Sequence, residues 1–196
     1  MLRYVTLTPI VLLALAACGG DSAPQQARRA ADSAAGSAAA PAPVQDTSVA
    51  FRVPTATVHR ARPGMRTALL QTIQANAHAD YDRVVLEFTA DSVPGYHVAY
   101  AETPARECGS GDVVQVAGDV QLLVRIEPAR AHTEDGTPTA VARHATPGLP
   151  VVREMKLICD FEGQVEWVLG LAASHPYRVL EPSGAARLVI DVRHDE

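Results

Sequence analysis

From about residue 67 onward, apolar and polar residues alternate with period two, as in strands with one buried and one wetted face. Residues Asp82 to Phe88 set Val84, Leu86 and Phe88 on one side and Arg83, Val85 and Glu87 on the other. Tyr96-His97-Val98-Ala99-Tyr100 does the same after a Pro94-Gly95 turn. Leu122, Val124 and Ile126 alternate with Leu123, Arg125 and Glu127. Met155, Leu157, Cys159 and Phe161 alternate with Glu154, Lys156, Ile158 and Asp160. Val165, Trp167, Leu169 and Leu171 alternate with Gln164, Glu166, Val168 and Gly170, so Trp167 is expected in the core. Leu188, Ile190 and Val192 alternate with Arg187, Val189, Asp191 and Arg193. Tyr177 to Leu180 is a shorter piece, and Leu69 to Ala77 a first strand of looser phase. About eight strands with polar outer faces and no helical stripe predict an all-β, antiparallel sandwich or barrel.

Upstream, the pattern changes twice. Arg3 precedes an apolar run from Tyr4 to Ala17, short for a membrane span and suited to a secretory signal. The run ends in Leu15-Ala16-Ala17-Cys18, which resembles the lipobox of bacterial lipoproteins. The resemblance implies a signal peptide over 1–17, cleavage before Cys18, and acylation of Cys18 (palmitate among the chains). Each buried CH2 of an acyl chain contributes roughly 0.8 kcal/mol, so several chains together moor a protein to a membrane. Gly19 and Gly20 stand where an inner-membrane retention signal would place aspartate, which points to the outer membrane if the cell has two. An ordinary cleaved signal peptide with an incidental cysteine, or a cytoplasmic protein with a greasy start, are the other readings. Residues 18–65 read as the lipidated cysteine and a disordered tether rich in Ala, Pro, Gly and Ser, because large apolar side chains are nearly missing. The folded domain is expected over 66–196.

The chain of 196 residues carries a net charge of −5. Positive charge lies in the tether and negative charge in the domain, where eleven basic groups face nineteen acidic ones from residue 66 on. An acidic domain is a poor nucleic-acid binder. One long apolar run excludes a multi-span membrane protein.

Arg83-Val84-Val85-Leu86-Glu87-Phe88 matches Arg187-Leu188-Val189-Ile190-Asp191-Val192 in residue type, and Pro94-Gly95-Tyr96 echoes Pro176-Tyr177. The echo points to two similar sheets, one closed early in the chain and one late. These segments, with Pro128-Ala129-Arg130-Ala131-His132, Asp160-Phe161-Glu162-Gly163 and Trp167-Val168-Leu169-Gly170-Leu171, make residues 68–194 resemble the AMIN-like domain of bacterial secreted lipoproteins. That domain is related to the AMIN domain found ahead of N-acetylmuramoyl-L-alanine amidases. The resemblance implies a β-sandwich of two similar sheets and binding to peptidoglycan or to the division-site envelope. No amidase or secretin segment accompanies it here.

With Cys18 acylated, Cys108 and Cys159 are left, and an exported chain usually pairs two such cysteines. No CxxC or closely spaced Cys/His pair points to metal, and the seven histidines are scattered. No GxSxG, Walker or GxGxxG string occurs, so neither a catalytic site nor a cofactor is expected. The candidate binding surface is the solvent stripe Arg83, Glu87, Arg187 and Asp191, together with His132, Glu134 and Asp135 in the loop 131–150. If the two strands of the stripe meet, cross-strand ion pairs follow. The expected protein is a non-catalytic envelope lipoprotein that binds peptidoglycan or a wall-associated protein. The alternative is a scaffold with no wall affinity. An exposed aromatic or a basic groove favours the first, and a uniformly acidic, aromatic-free surface the second.

Overall fold

The computed structural model describes residues 49–139 and 142–194. The expected signal peptide, Cys18 and the expected tether through residue 48 lie outside the described residues. Eleven strands and no helix are found among the described residues: β1 (Val58–Arg60), β2 (Ala68–Ala77), β3 (Tyr81–Thr89), β4 (Gly95–Tyr100), β5 (Val120–Glu127), β6 (Ala129–Arg130), β7 (His144–Ala145), β8 (Val152–Phe161), β9 (Gln164–Leu171), β10 (Tyr177–Leu180) and β11 (Arg187–Arg193). They form a six-stranded sheet ordered β1-β4-β5-β9-β8-β7 and a five-stranded sheet ordered β10-β11-β3-β2-β6. All pairings are antiparallel except β2 with β6. The two sheets are separate, which makes a sandwich and not a closed barrel. The eight long strands are those the alternation predicts; β1, β6 and β7 are short additions.

The core is the meeting of two alternating faces. Leu70, Val84, Leu86, Leu188 and Ile190 come from one sheet, and Val98, Leu122, Val124, Ile126, Trp167 and Leu169 from the other, all at most 1% exposed. Each large aliphatic side chain so buried contributes about 1.5–3 kcal/mol.

Three expectations change. The echo does not mark an early and a late sheet: β3 and β11, its two halves, are neighbours in one sheet, with Leu188 opposite Leu86 and Ile190 opposite Val84. Each sheet mixes early and late strands. The likeness of the two strands follows from a shared environment, since both put the same faces against the same layers.

The ordered structure also begins upstream of residue 66. Arg52 pairs with Tyr177 at the edge of β10, and β1 pairs with the edge of β4. Residues 49–60 thus run as a strap from one sheet edge to the other. The Tyr177 hydroxyl sits between the Ala56 and Val98 carbonyls beneath it. An open strand edge presents unpaired amides and carbonyls, and a nearby extended segment satisfies them even without a hydrophobic pattern of its own.

Finally, part of the outer face of the six-stranded sheet is dry. Val168 and Ile158 pack there against Ala105 and Val114 of the loop 101–119, with Leu123 and Val116 at the margin. The Gln121 side-chain amide holds the loop by accepting from the Ala105 amide and donating to the Val114 carbonyl. Gly170 is where backbone meets backbone: a Cβ there would stand 2.1 Å from the Ala117 carbonyl oxygen. A bulge between Leu157 and Cys159 inserts one residue into β8. Beyond it, Cys159 faces outward beside Glu166, Asp160 inward beside Val165, and Phe161 outward at 64% exposure. A strict alternation puts Cys159 and Phe161 inward with Leu157; the inserted residue reverses the three. The outward turn lets Cys159 meet Cys108 of the covering loop in the expected disulfide, with a Cα–Cα distance of 5.2 Å.

The disulfide spans 51 residues of sequence, for which chain entropy gives a stabilisation of roughly 4 kcal/mol. Urea unfolding with and without reductant is expected to show a loss of that order, with amide exchange rising first across 101–119. Gly170→Ala is expected to cost about 1–3 kcal/mol through the clash with Ala117 and to raise exchange in the same loop. Unchanged unfolding for both would contradict a loop pressed onto the sheet.

Candidate functional site

The register of β3, β11 and β10 sets Arg83, Asp191 and Arg178 in one row across three strands. Arg83 donates twice to Asp191, Nε to Oδ1 at 2.7 Å and Nη2 to Oδ2 at 2.9 Å. Arg178 Nε donates to the same Oδ2 at 2.8 Å. The expected cross-strand pairs therefore form, but Asp191 is fully buried and Arg83 nearly so. The stripe is not solvent-facing at this end. The hydrogen bond to Asp191, acting against burial, raises the Arg83 pKa. Phe51 of the strap covers Arg178, ring centre to guanidinium 4.6 Å, and Tyr81 lies within cation–π reach of both arginines. Sequence alternation left these residues wet because the cover comes from a segment read as tether. Glu87 and Arg187 form the other pair of the stripe, at 3.0 Å and partly exposed.

In the loop 131–150, His132 Nδ1 lies 2.9 Å from Asp160 Oδ1, which also accepts from the Ala131 amide. Arg143 stands 3.4 Å from the other oxygen. Glu134 is exposed and 3.5 Å from Arg130. Asp135 accepts from the Thr133 hydroxyl and from Thr137, and these bonds, Thr133 first, lower its pKa. It serves the Asp135-Gly136 turn. His132 is joined to Asp160, while Glu134 and Asp135 point into no shared cleft with it.

A concave feature lies elsewhere, on the outer face of the six-stranded sheet beside the strap. The registers β1–β4, β4–β5 and β5–β9 line up His59, His97, Arg125 and Glu166 in one transverse row. Arg125 Nε donates to Glu166 Oε2 at 3.2 Å, and Gln164 donates to the same oxygen. A cavity of about 560 Å³ lies over the row, walled by Arg60, Arg62 and Met65. A second of about 600 Å³ adjoins it, walled by Pro54, Thr57 and Tyr100. His97 and Arg125 belong to both, so the two form one elongated trough. Glu181, which lines neither cavity, accepts from Arg60, Arg62 and the Tyr96 hydroxyl. Burial first, then this hydrogen bond, pushes the Tyr96 pKa up to about 12. Burial first, then the charges of His59 and Arg125, lower that of His97, against a smaller opposite effect of Glu166. The trough offers guanidinium, imidazole and carboxylate groups over an apolar floor margin, a surface for hydrogen-bonding a polar, extended ligand. Sequence reading missed it because half its wall belongs to residues 54–65, and because His59, His97, Arg125 and Glu166 are adjacent only through strand register.

A family model described as AMIN-like domain matches residues 68–194. No curated protein and no solved structure matches.

Asp191→Ala leaves two buried guanidiniums without their carboxylate and is expected to cost about 3–5 kcal/mol, against less than about 1 kcal/mol for Glu87→Ala. Denaturant midpoints of the two variants decide it; equal costs would contradict the buried cluster. A lowered His97 pKa means that the unfolded chain binds this proton more tightly. Stability is therefore expected to fall as pH drops through 6.5 toward the lower folded value. His97→Gln should flatten that part of the profile.

Proposed function

Because the chain belongs to the AMIN-like domain family, we propose that it is a non-catalytic lipoprotein of the cell envelope whose sandwich binds peptidoglycan or a wall-associated protein through the trough. The observation that carries this reading is the row His59–His97–Arg125–Glu166 under two adjoining cavities. A polymer needs a long shallow site with alternating donors and acceptors, and peptidoglycan offers both hydroxyl-rich sugars and carboxylate-bearing peptides. Arg125 suits the carboxylates, and Glu166 on its other side keeps the guanidinium oriented. Arg60 and Arg62 add guanidinium donors to the wall, each paired with Glu181.

In this reading Cys18 carries the acyl chains and residues 19–48 span the distance to the wall. The protein faces the periplasm or the exterior, and in a diderm cell it sits on the outer membrane. The second reading is a scaffold without wall affinity; Phe161, 64% exposed at a hairpin tip, is the exposed aromatic expected of a wall binder but would equally anchor a partner protein.

Sedimentation of the chain lacking its first 18 residues with purified sacculi separates the two. Retention above a denatured control, reduced at least several-fold by Arg125→Ala and unaffected by Phe161→Ser, is the expected result. No retention rejects wall binding. Cys18→Ser is expected to move the protein from the membrane to the soluble fraction; if it stays with the membrane, the lipid anchor is wrong.

A further inference from the structure

His59 and His97 are direct partners across β1 and β4 and point to the same outer face. Their ring centres are 5.8 Å apart with planes tilted by 59°. Neither ring makes a hydrogen bond or ion pair among the described residues, and both are exposed. The other surface histidines differ: His132, His144 and His194 each place a ring nitrogen on a carboxylate, and His78 stacks on Tyr81.

Two free imidazoles side by side on paired strands are a chelating arrangement for a borderline divalent cation. Metal–nitrogen bonds of about 2.0–2.1 Å hold two coordinated rings roughly 5 Å apart between centres. A modest rotation of two exposed side chains closes the present 5.8 Å to that spacing. Imidazole prefers copper, zinc and nickel over calcium or magnesium, and copper binds most tightly. The neighbouring cations already have carboxylate partners: Arg125, which flanks His97 on β5, is held by Glu166, and Arg60 and Arg62 by Glu181. No third His, Cys, Asp or Glu joins the pair among the described residues, so water fills the remaining positions.

We propose that His59 and His97 form a two-imidazole site for a divalent transition-metal ion, copper before zinc or nickel, which clamps the strap strand β1 to β4. The site does not depend on wall binding. Such an ion binds the folded pair and not the separated strands, so it raises the unfolding temperature, by an amount that grows with the logarithm of its concentration once it exceeds the dissociation constant.

The full chain is titrated with copper(II), zinc(II) and nickel(II) chloride at pH 7.5, where a free imidazole is mostly neutral. Thermal unfolding is followed in the wild type, His59→Gln, His97→Gln and His144→Gln. The expected result is a metal-dependent rise, largest for copper, that is lost in His59→Gln and in His97→Gln and kept in His144→Gln. Paramagnetic broadening of imidazole signals in the wild type gives a reading that needs no variant: copper(II) should bleach His59 and His97 first. A rise that survives in both variants, no rise with any of the three ions, or first bleaching at His132, His144 or His194 overturns the site.

Discussion

One carboxylate with no access to water organises the five-stranded sheet and what lies on it. Asp191 takes three hydrogen bonds from Arg83 and Arg178, which stand on the strands either side of it. A buried charge is tolerable only where its partners meet it in a fixed geometry. The row therefore permits one register of β10, β11 and β3. It also needs a roof, because two guanidiniums against one carboxylate leave a positive excess. Phe51 and Tyr81 supply it through their ring faces. The roof brings the chain preceding β1 onto the sandwich. From there the strap reaches the β4 edge, and the trough acquires its wall.

The long strands were legible because alternation is a local property, written in each segment by itself. Val84, Leu86 and Phe88, or Val165, Trp167 and Leu169, declare their face without knowing their partners, and all six are buried as read. What resisted reading is whatever depends on a second segment. Val168 looks like one apolar residue on a wet face until the loop 101–119 is laid over it. Cys159 looks inward until the extra residue in β8 turns it. Phe51 and Val58 lie in a stretch with no sustained alternation, and their value comes from what they cover.

The same distinction separates the parts of the candidate surface. The pairing of Arg83 with Asp191 and Glu87 with Arg187 could be written down from two matching strands, because opposite charges at matching positions predict their own register. Their depth could not, since burial depends on the strap. The trough was invisible for a further reason. His59, His97, Arg125 and Glu166 lie on four strands, β1, β4, β5 and β9, that neighbour each other in the sheet but are separated along the chain by other strands or a long loop. A row of this kind is a product of topology, and no spacing along the sequence encodes it.

The strap has a mechanical corollary. Any pull on the chain upstream of residue 49 arrives first at the bridge between Arg52 and Tyr177 and next at the three-residue ladder of β1. The long ladders of β2, β3, β8 and β9 lie behind those joints. Under load the trough wall should peel away while the interior stays intact, so the order in which the chain is laid down makes the cavity wall the first part to yield and the sandwich the last.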